Sequence, residues 1–219
     1  MYTPPSVHSN VVLLQYAAGV LYVTLTTPTV SSGKAVWQLP TAPVTSSQTS
    51  LLALETSLRS TIGLQDSDIT YREQLYTTEG LANNKASLCV SYLYLSRTTK
   101  WHKGTQQVGI FPLKKLPALS ESDATILRYA IDRLHAKTLY STVIRFLLPT
   151  IFDLNELQDA FETITRQTVD RRNFRKKFLA LDVLKSAPKN KQPPQSITAQ
   201  YSFKRTSLEF LQKPFPIKR

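Results

Sequence analysis

The stretch from Asp170 to Leu181 constrains the chain more than any other. At about 100° per residue, Phe174, Phe178 and Leu181 fall on one face of a helix, while Arg172, Arg175 and Lys176 project from the other with Asn173 at its edge. Such a helix has one dry side and one cationic side. Asp170 is placed to accept the free amides of its first turn. The plain alternative is a solvated basic face, whereas Arg, Lys and Asn are also the side chains that reach guanine and adenine edges in a major groove. The surrounding sequence bears on that choice.

Upstream, Ser120 to Thr138 carries Ile126, Leu127, Ala130, Ile131 and Leu134 as one apolar stripe. Tyr140 to Leu148 reads as a short apolar helix stopped by Pro149. Asp153 opens the next helix, with Glu156 completing a capping box and Leu154, Leu157, Phe161 and Ile164 forming its buried face. A turn over 165–169 leads into the basic helix. Downstream, 183–185 and 197–203 alternate as two strands, joined by a segment holding Pro188, Lys189, Lys191, Pro193 and Pro194. Helices followed by a hairpin with a basic, proline-stiffened tip give the order of a winged helix-turn-helix. A solvated loop is the plainer account of the tip.

Charge supports a polyanionic partner. The 219 residues hold 27 Lys and Arg against 15 Asp and Glu, a net charge of +12, and the last 69 residues alone carry 14 basic and 7 acidic side chains. Such a field favours nucleic acid or an anionic membrane surface. With no apolar run near the roughly 18 residues of a span, and no signal-peptide pattern, no membrane partner is expected and the cytoplasm, as in a bacterial nucleoid, is the expected location. The single Cys89 lies between Leu88 and Val90 and reads as an inert core thiol. His8, His102 and His135 are too scattered for a metal site, so neither a metal nor a cofactor is expected.

The first half reads as a mixed α/β domain. Asn10–Tyr16 and Val20–Leu25 are two strands joined by a turn at Gly19, and Val36–Pro40 is a short strand ended by proline. Leu51, Leu54, Leu58 and Ile62 then mark an amphipathic helix closed by Gly63. Two further strands follow at 69–76 and 86–95, and Gly109–Leu113 supplies a short edge. This order does not repeat as βαβ units.

Several of these stretches resemble the Nudix-related transcriptional regulators of the NrtR family. In the first half they are Trp37-Gln38-Leu39-Pro40, Ile62-Gly63-Leu64 and Glu73-Gln74-Leu75-Tyr76-Thr77. In the second they are Lys137 to Ser141, Phe146 to Pro149, Phe152 to Gln158 and Asp170 to Lys177. The resemblance runs from about residue 10 to 203. It implies an α+β fold in which a degenerate Nudix-like mixed-sheet domain precedes a winged helix-turn-helix domain. Residues 1–120 would form the sensor and dimerisation domain, 121–138 a connecting helix, 139–205 the DNA-binding domain and 206–219 a basic C-terminal tail.

Registering the catalytic Nudix box on Gly63 puts Ala42 at its first glycine, Gln48 at its first glutamate and Thr56 at its arginine. Ser57, Ser60 and Thr61 then stand at its three remaining glutamates. Those carboxylates hold magnesium and polarise the attacking water. Hydroxyls and an amide do neither well, so the chain is not expected to be an enzyme. Glu55, the one carboxylate left on the helix, reads as an exposed surface residue.

The resemblance implies a homodimeric repressor or regulator of double-stranded DNA, with Arg171, Arg172, Asn173, Arg175, Lys176, Lys189 and Lys191 as DNA contacts. It also implies an ADP-ribose-like nucleotide effector, with Trp37, Thr41 and Arg59 as ligand-binding candidates. The rival readings are a Nudix pyrophosphohydrolase acting on nucleoside diphosphate-linked substrates, and a basic interaction module without a sequence-specific target.

Overall fold

The computed structural model describes residues 5–27, 36–45, 47, 49–82, 85–98, 107–187 and 199–215. It divides into two compact units, one of residues 1–15 and 22–130, the other of residues 16–21 and 131–219.

The first unit is built on a mixed sheet. Its strands are β1 (Ser6–Ala17), β2 (Val20–Thr26), β3 (Thr41–Pro43), β4 (Ile69–Ala82), β5 (Lys85–Ser96) and β6 (Val108–Pro112). They lie in the order β4-β5-β1-β2-β6, with β3 paired to β1. β1 and β5 run parallel, Val11 opposite Tyr92 and Leu13 opposite Tyr94, whereas β4–β5 and β2–β6 are antiparallel. Ala18 and Gly19, both at positive φ, make the two-residue turn between β1 and β2.

The helix α1 (Ser50–Thr61) covers the face carrying Val11, Leu13, Tyr92 and Tyr94, through Leu54, Leu58 and Ile62. Thr49 caps its N-terminus, and Gly63 at φ +70 closes it as expected. Leu51 departs from the expected stripe: it is exposed, and Ala53 takes the buried place beside Leu54. The strand expected at 36–40 is a single bridge from Gln38 to Thr26. Pro40 has no N–H to continue that pairing, and regular pairing resumes only beyond it, in β3. Cys89 is buried, and burial pushes its thiol pKa up, in keeping with an inert thiol.

One helix, α2 (Glu121–Tyr140), supplies residues to both units, as do β1 and β2, whose connecting tip at 16–21 is counted with the second unit. In the second unit α2 is followed by a 3₁₀ turn at Val143–Phe146, in place of the longer apolar helix expected from 140 to 148. Ser141 Oγ donates to the Lys137 carbonyl, and the Thr142 amide is drawn off to the Glu209 carbonyl at 2.9 Å, which diverts the backbone from the helical path.

Next come β7 (Phe152–Asp153), α3 (Leu154–Thr165), α4 (Arg171–Ala180), β8 (Leu184–Ser186) and β9 (Gln200–Phe203). The strands form a small antiparallel sheet in the order β7-β9-β8. β7 was not legible as a strand, because two residues cannot show an alternation. The core is aromatic: Phe161, Phe174 and Phe178 pack against Phe215 with centroids 5.0–5.9 Å away. Residues 206–215, expected to be a tail, pack as a strap, with the amides of Leu211 and Phe215 donating to the carbonyls of Tyr140 and Leu139. Burial of Phe215 anchors that strap.

Candidate nucleic-acid interface

The basic helix is α4. Phe174 and Phe178 are 2% and 3% exposed and hold it to the aromatic core, which turns the remaining arc of the helix outward. Asp170 caps it, accepting the Asn173 amide at 2.8 Å, so the positive end of its dipole already meets a carboxylate and the cations on its outer face carry its positive charge.

Arg171, Arg172, Asn173 and Lys176 are exposed. Arg175 is only half-buried rather than fully outward, because Asn155 in the first turn of α3 reaches it. Arg175 Nη2 donates to Asn155 Oδ1 at 2.9 Å, and Arg171 Nη2 donates to the same oxygen. The two arginines thus share one acceptor on the neighbouring helix. Lys189 and Lys191 lie outside the described residues.

The turn that sets α4 against α3 is pinned by side chains which hydrophobic patterning could not single out. Gln158 Nε2 donates to both Glu162 Oε1 and the Val169 carbonyl, and the Val169 amide donates back to Glu162 Oε1 at 2.9 Å. Arg166 adopts the left-handed region at φ 55 where α3 ends. At the start of α3 the expected capping box is present: Asp153 accepts the amides of Asn155 and Glu156, and Glu156 accepts the Asp153 amide at 2.8 Å.

In the first unit, two of the α1 residues that the sequence register sets at box positions, Ser60 and Thr61, turn their hydroxyls onto their own helix backbone. Ser60 Oγ and Thr61 Oγ1 both donate to the Ser57 carbonyl, at 3.0 and 2.6 Å. Thr56 is exposed, Ala42 is buried in the core, and Gln48 lies outside the described residues. Neutral hydroxyls committed in this way do not fit a magnesium ion, which takes carboxylate oxygens. Among the described residues, no group of three or more His, Cys, Asp or Glu side chains is placed to hold a metal.

Glu55 is not the free surface residue expected of it. Arg72 Nε pairs with it at 2.8 Å, and the buried Tyr94 hydroxyl donates to it at 3.3 Å. Burial, then the neighbouring Glu55 charge, pushes the Tyr94 hydroxyl pKa well up. Each ligand-binding candidate has a contact of its own. Trp37 packs edge-on to Phe111 at 4.8 Å, Thr41 Oγ1 donates to the Leu39 carbonyl, and Arg59 on α1 pairs with Asp66 at 3.7 Å.

Comparison with known proteins bears on both units. Residues 144–203 match the profile of the NrtR DNA-binding winged helix domain. That stretch of the second unit is similar to the NrtR winged-helix domain, and its fold is a winged helix. Within it, α3 and α4 are the two helices and β8 and β9 the arms of the wing. Among solved structures, NrtR of Shewanella oneidensis in complex with a 27mer DNA superposes with a TM-score of 0.75 and 20% identity, over 96% of this chain and 99% of that one. A MutT/nudix family protein from Enterococcus faecalis gives 0.75 and 18%, over 93% and 88%. The NUDIX domain of the Shewanella NrtR, complexed with ADP ribose, gives 0.51 and 19%, over 61% and 90%. None of the curated proteins compared matches the sequence. The likeness to these structures is one of fold: a Nudix-like mixed sheet followed by the winged-helix domain, the α+β arrangement expected from sequence.

Proposed function

We propose that this protein is a DNA-binding transcriptional regulator. In this account a homodimer lays α4 of each winged-helix domain into the major groove of double-stranded DNA. The observation that carries this reading is the match of 144–203 to a DNA-binding domain, together with the exposed Arg171, Arg172, Asn173 and Lys176 on a helix anchored from behind by Phe174 and Phe178. Arg172 and Asn173 read bases, Lys176 meets phosphate, and Arg171 and Arg175 are oriented through Asn155. Lys189 and Lys191 act as phosphate or minor-groove contacts of low sequence specificity.

The first unit, in the same proposal, is the sensor. It binds a nucleotide metabolite of the ADP-ribose class without magnesium and without hydrolysing it, since Ser57, Ser60 and Thr61 supply no charge to hold the ion. Regulation then requires that the ligand bind the DNA-competent and DNA-incompetent forms with different strength. A gel-shift or anisotropy titration on one promoter fragment and on random DNA, at stated salt, tests the core of the proposal. A regulator binds the fragment far more tightly than random DNA, whereas a basic interaction module binds both alike.

A further inference from the structure

A groove of ≈ 950 Å³ lies within the second unit, between the C-terminal end of α4 and the strap 206–215. Sites for small molecules fall in this size range, roughly 300–1,000 Å³, with apolar walls and a few charged groups. Its walls include Leu181, Val183, Leu211 and Pro214. The Phe210 side chain also lines it, and this residue is 71% exposed although its ring stacks on Tyr140 at 6.0 Å. An exposed phenyl ring in a groove offers a face to a planar ligand.

The charges around the groove are not balanced. Four cations line it, Lys177, Lys204, Arg205 and Lys213, against the two acids Asp182 and Glu209. Lys204 is taken by Asp182 at 2.6 Å and Arg205 by Glu209 at 3.2 Å. Among the described residues no ion pair holds Lys177 or Lys213. The groove thus presents two uncommitted ammonium groups beside an aromatic surface.

We propose that this groove is a binding site for a small aromatic anion, such as an aryl phosphate or carboxylate, with its charge at Lys177 and Lys213 and its ring against Phe210. The site is separate from the sensor proposed for the first unit and from the outward face of α4 at Arg172 and Lys176. Its wall is the strap whose Phe215 packs on Phe174 and Phe178, so occupancy bears on the support of α4.

Calorimetry on the full chain with phenyl phosphate, inorganic phosphate and phenol as probes tests the proposal. Phenyl phosphate should saturate one site per chain, with the ring-free and charge-free probes at least about tenfold weaker. The double variant Lys177→Glu/Lys213→Glu should lose phenyl phosphate binding, Phe210→Ala should weaken it by about tenfold, and Arg172→Ala/Lys176→Ala should leave it unchanged. Circular dichroism and thermal melts of each variant establish that it is folded. Equal binding of inorganic phosphate, or phenyl phosphate binding that persists in a folded Lys177→Glu/Lys213→Glu protein, would overturn the assignment. So would an acidic peptide that binds the groove when phenyl phosphate does not, which would assign it to a protein partner.

Discussion

Asn155 Oδ1 on α3 accepts a hydrogen bond from Arg175 Nη2 on α4 at 2.9 Å, and shares that oxygen with Arg171 one helical turn earlier. A guanidinium held on one edge loses rotamer freedom before DNA arrives, which lowers the ordering cost of binding. Asn155→Ala should therefore weaken operator binding by about 1 kcal/mol, roughly fivefold, while changing the salt dependence little because no cation is removed. Asn155→Asp retains the acceptor and should still hold the arginines, so its base preference should follow the wild type. Fluorescence anisotropy across a salt series reads both quantities; an unchanged affinity in Asn155→Ala would reject the positioning role.

Replacing the outward cations separates base reading from phosphate contact. Arg172→Ala should cost about 1–3 kcal/mol and relax specificity at one position if the guanidinium reads a base. Lys176→Ala should weaken binding on every sequence alike and reduce the salt slope by about one. Competition with single-base operator variants distinguishes the two. The assignment fails if both mutants bind as the wild type does.

Phe215 links the strap to α4. It is 8% exposed and meets Phe161, Phe174 and Phe178. Phe215→Ala should destabilise the second unit by about 3 kcal/mol, the lower end for a buried phenylalanine, since the site lies near the chain's surface. Chemical denaturation followed by near-ultraviolet circular dichroism checks this. A loss below about 1 kcal/mol would indicate that the strap contributes little to the core.

Most helices and their caps were legible in the sequence because their signals are local, the exception being 140–148, where the Glu209 carbonyl draws off the Thr142 amide. Asp153 with Glu156, Asp170, and the Phe174–Phe178 spacing each declare themselves within one or two turns, and all three stand as read. The contacts that refine the candidate site were not legible. Asn155 and Arg175 are 20 positions apart, Glu55 and Arg72 pair from a helix to a strand, and Phe215 reaches back to Phe161. Such pairings depend on how elements pack, which a periodicity cannot express. The same limit explains why Leu51 was placed in the core: its spacing fits the stripe, but Ala53 occupies the buried arc.

Asp123 gives the first unit a pH signature. Its carboxylate accepts the Leu39 amide at 3.1 Å, and burial raises its pKa above the ordinary value despite that bond. A raised folded-state pKa in an acid means the folded protein binds the proton more tightly. The associated stability is fully present below the unfolded value, about 3.9, and is lost as pH rises through the folded one. Relative to Asp123→Asn, the wild type should thus lose stability from acid toward neutral pH. Parallel urea titrations of both proteins from about pH 4 to 7 measure the difference; a gap that widens in the opposite direction would show that the Leu39 bond outweighs burial.

Sensing without turnover is tested by calorimetry with ADP-ribose, with and without chelator, alongside a product assay over hours. The proposed sensor should give heat that survives chelation and no product, because the hydroxyls of Ser57, Ser60 and Thr61, the residues at the box positions in the proposed register, offer magnesium no charge. Heat abolished by chelator, or product formed, would instead support the pyrophosphohydrolase reading. Silence with every nucleotide would leave the first unit as a scaffold for dimerisation.

The most direct test of the central claim is selection of DNA from a random pool by the purified full chain, followed by affinity measurement on the selected and scrambled duplexes at physiological salt. The account predicts enrichment of one palindromic motif, as expected for a two-fold dimer, bound about 10³-fold or more tightly than the scrambled duplex. A pool that enriches no motif, with selected and scrambled duplexes bound equally, would contradict it.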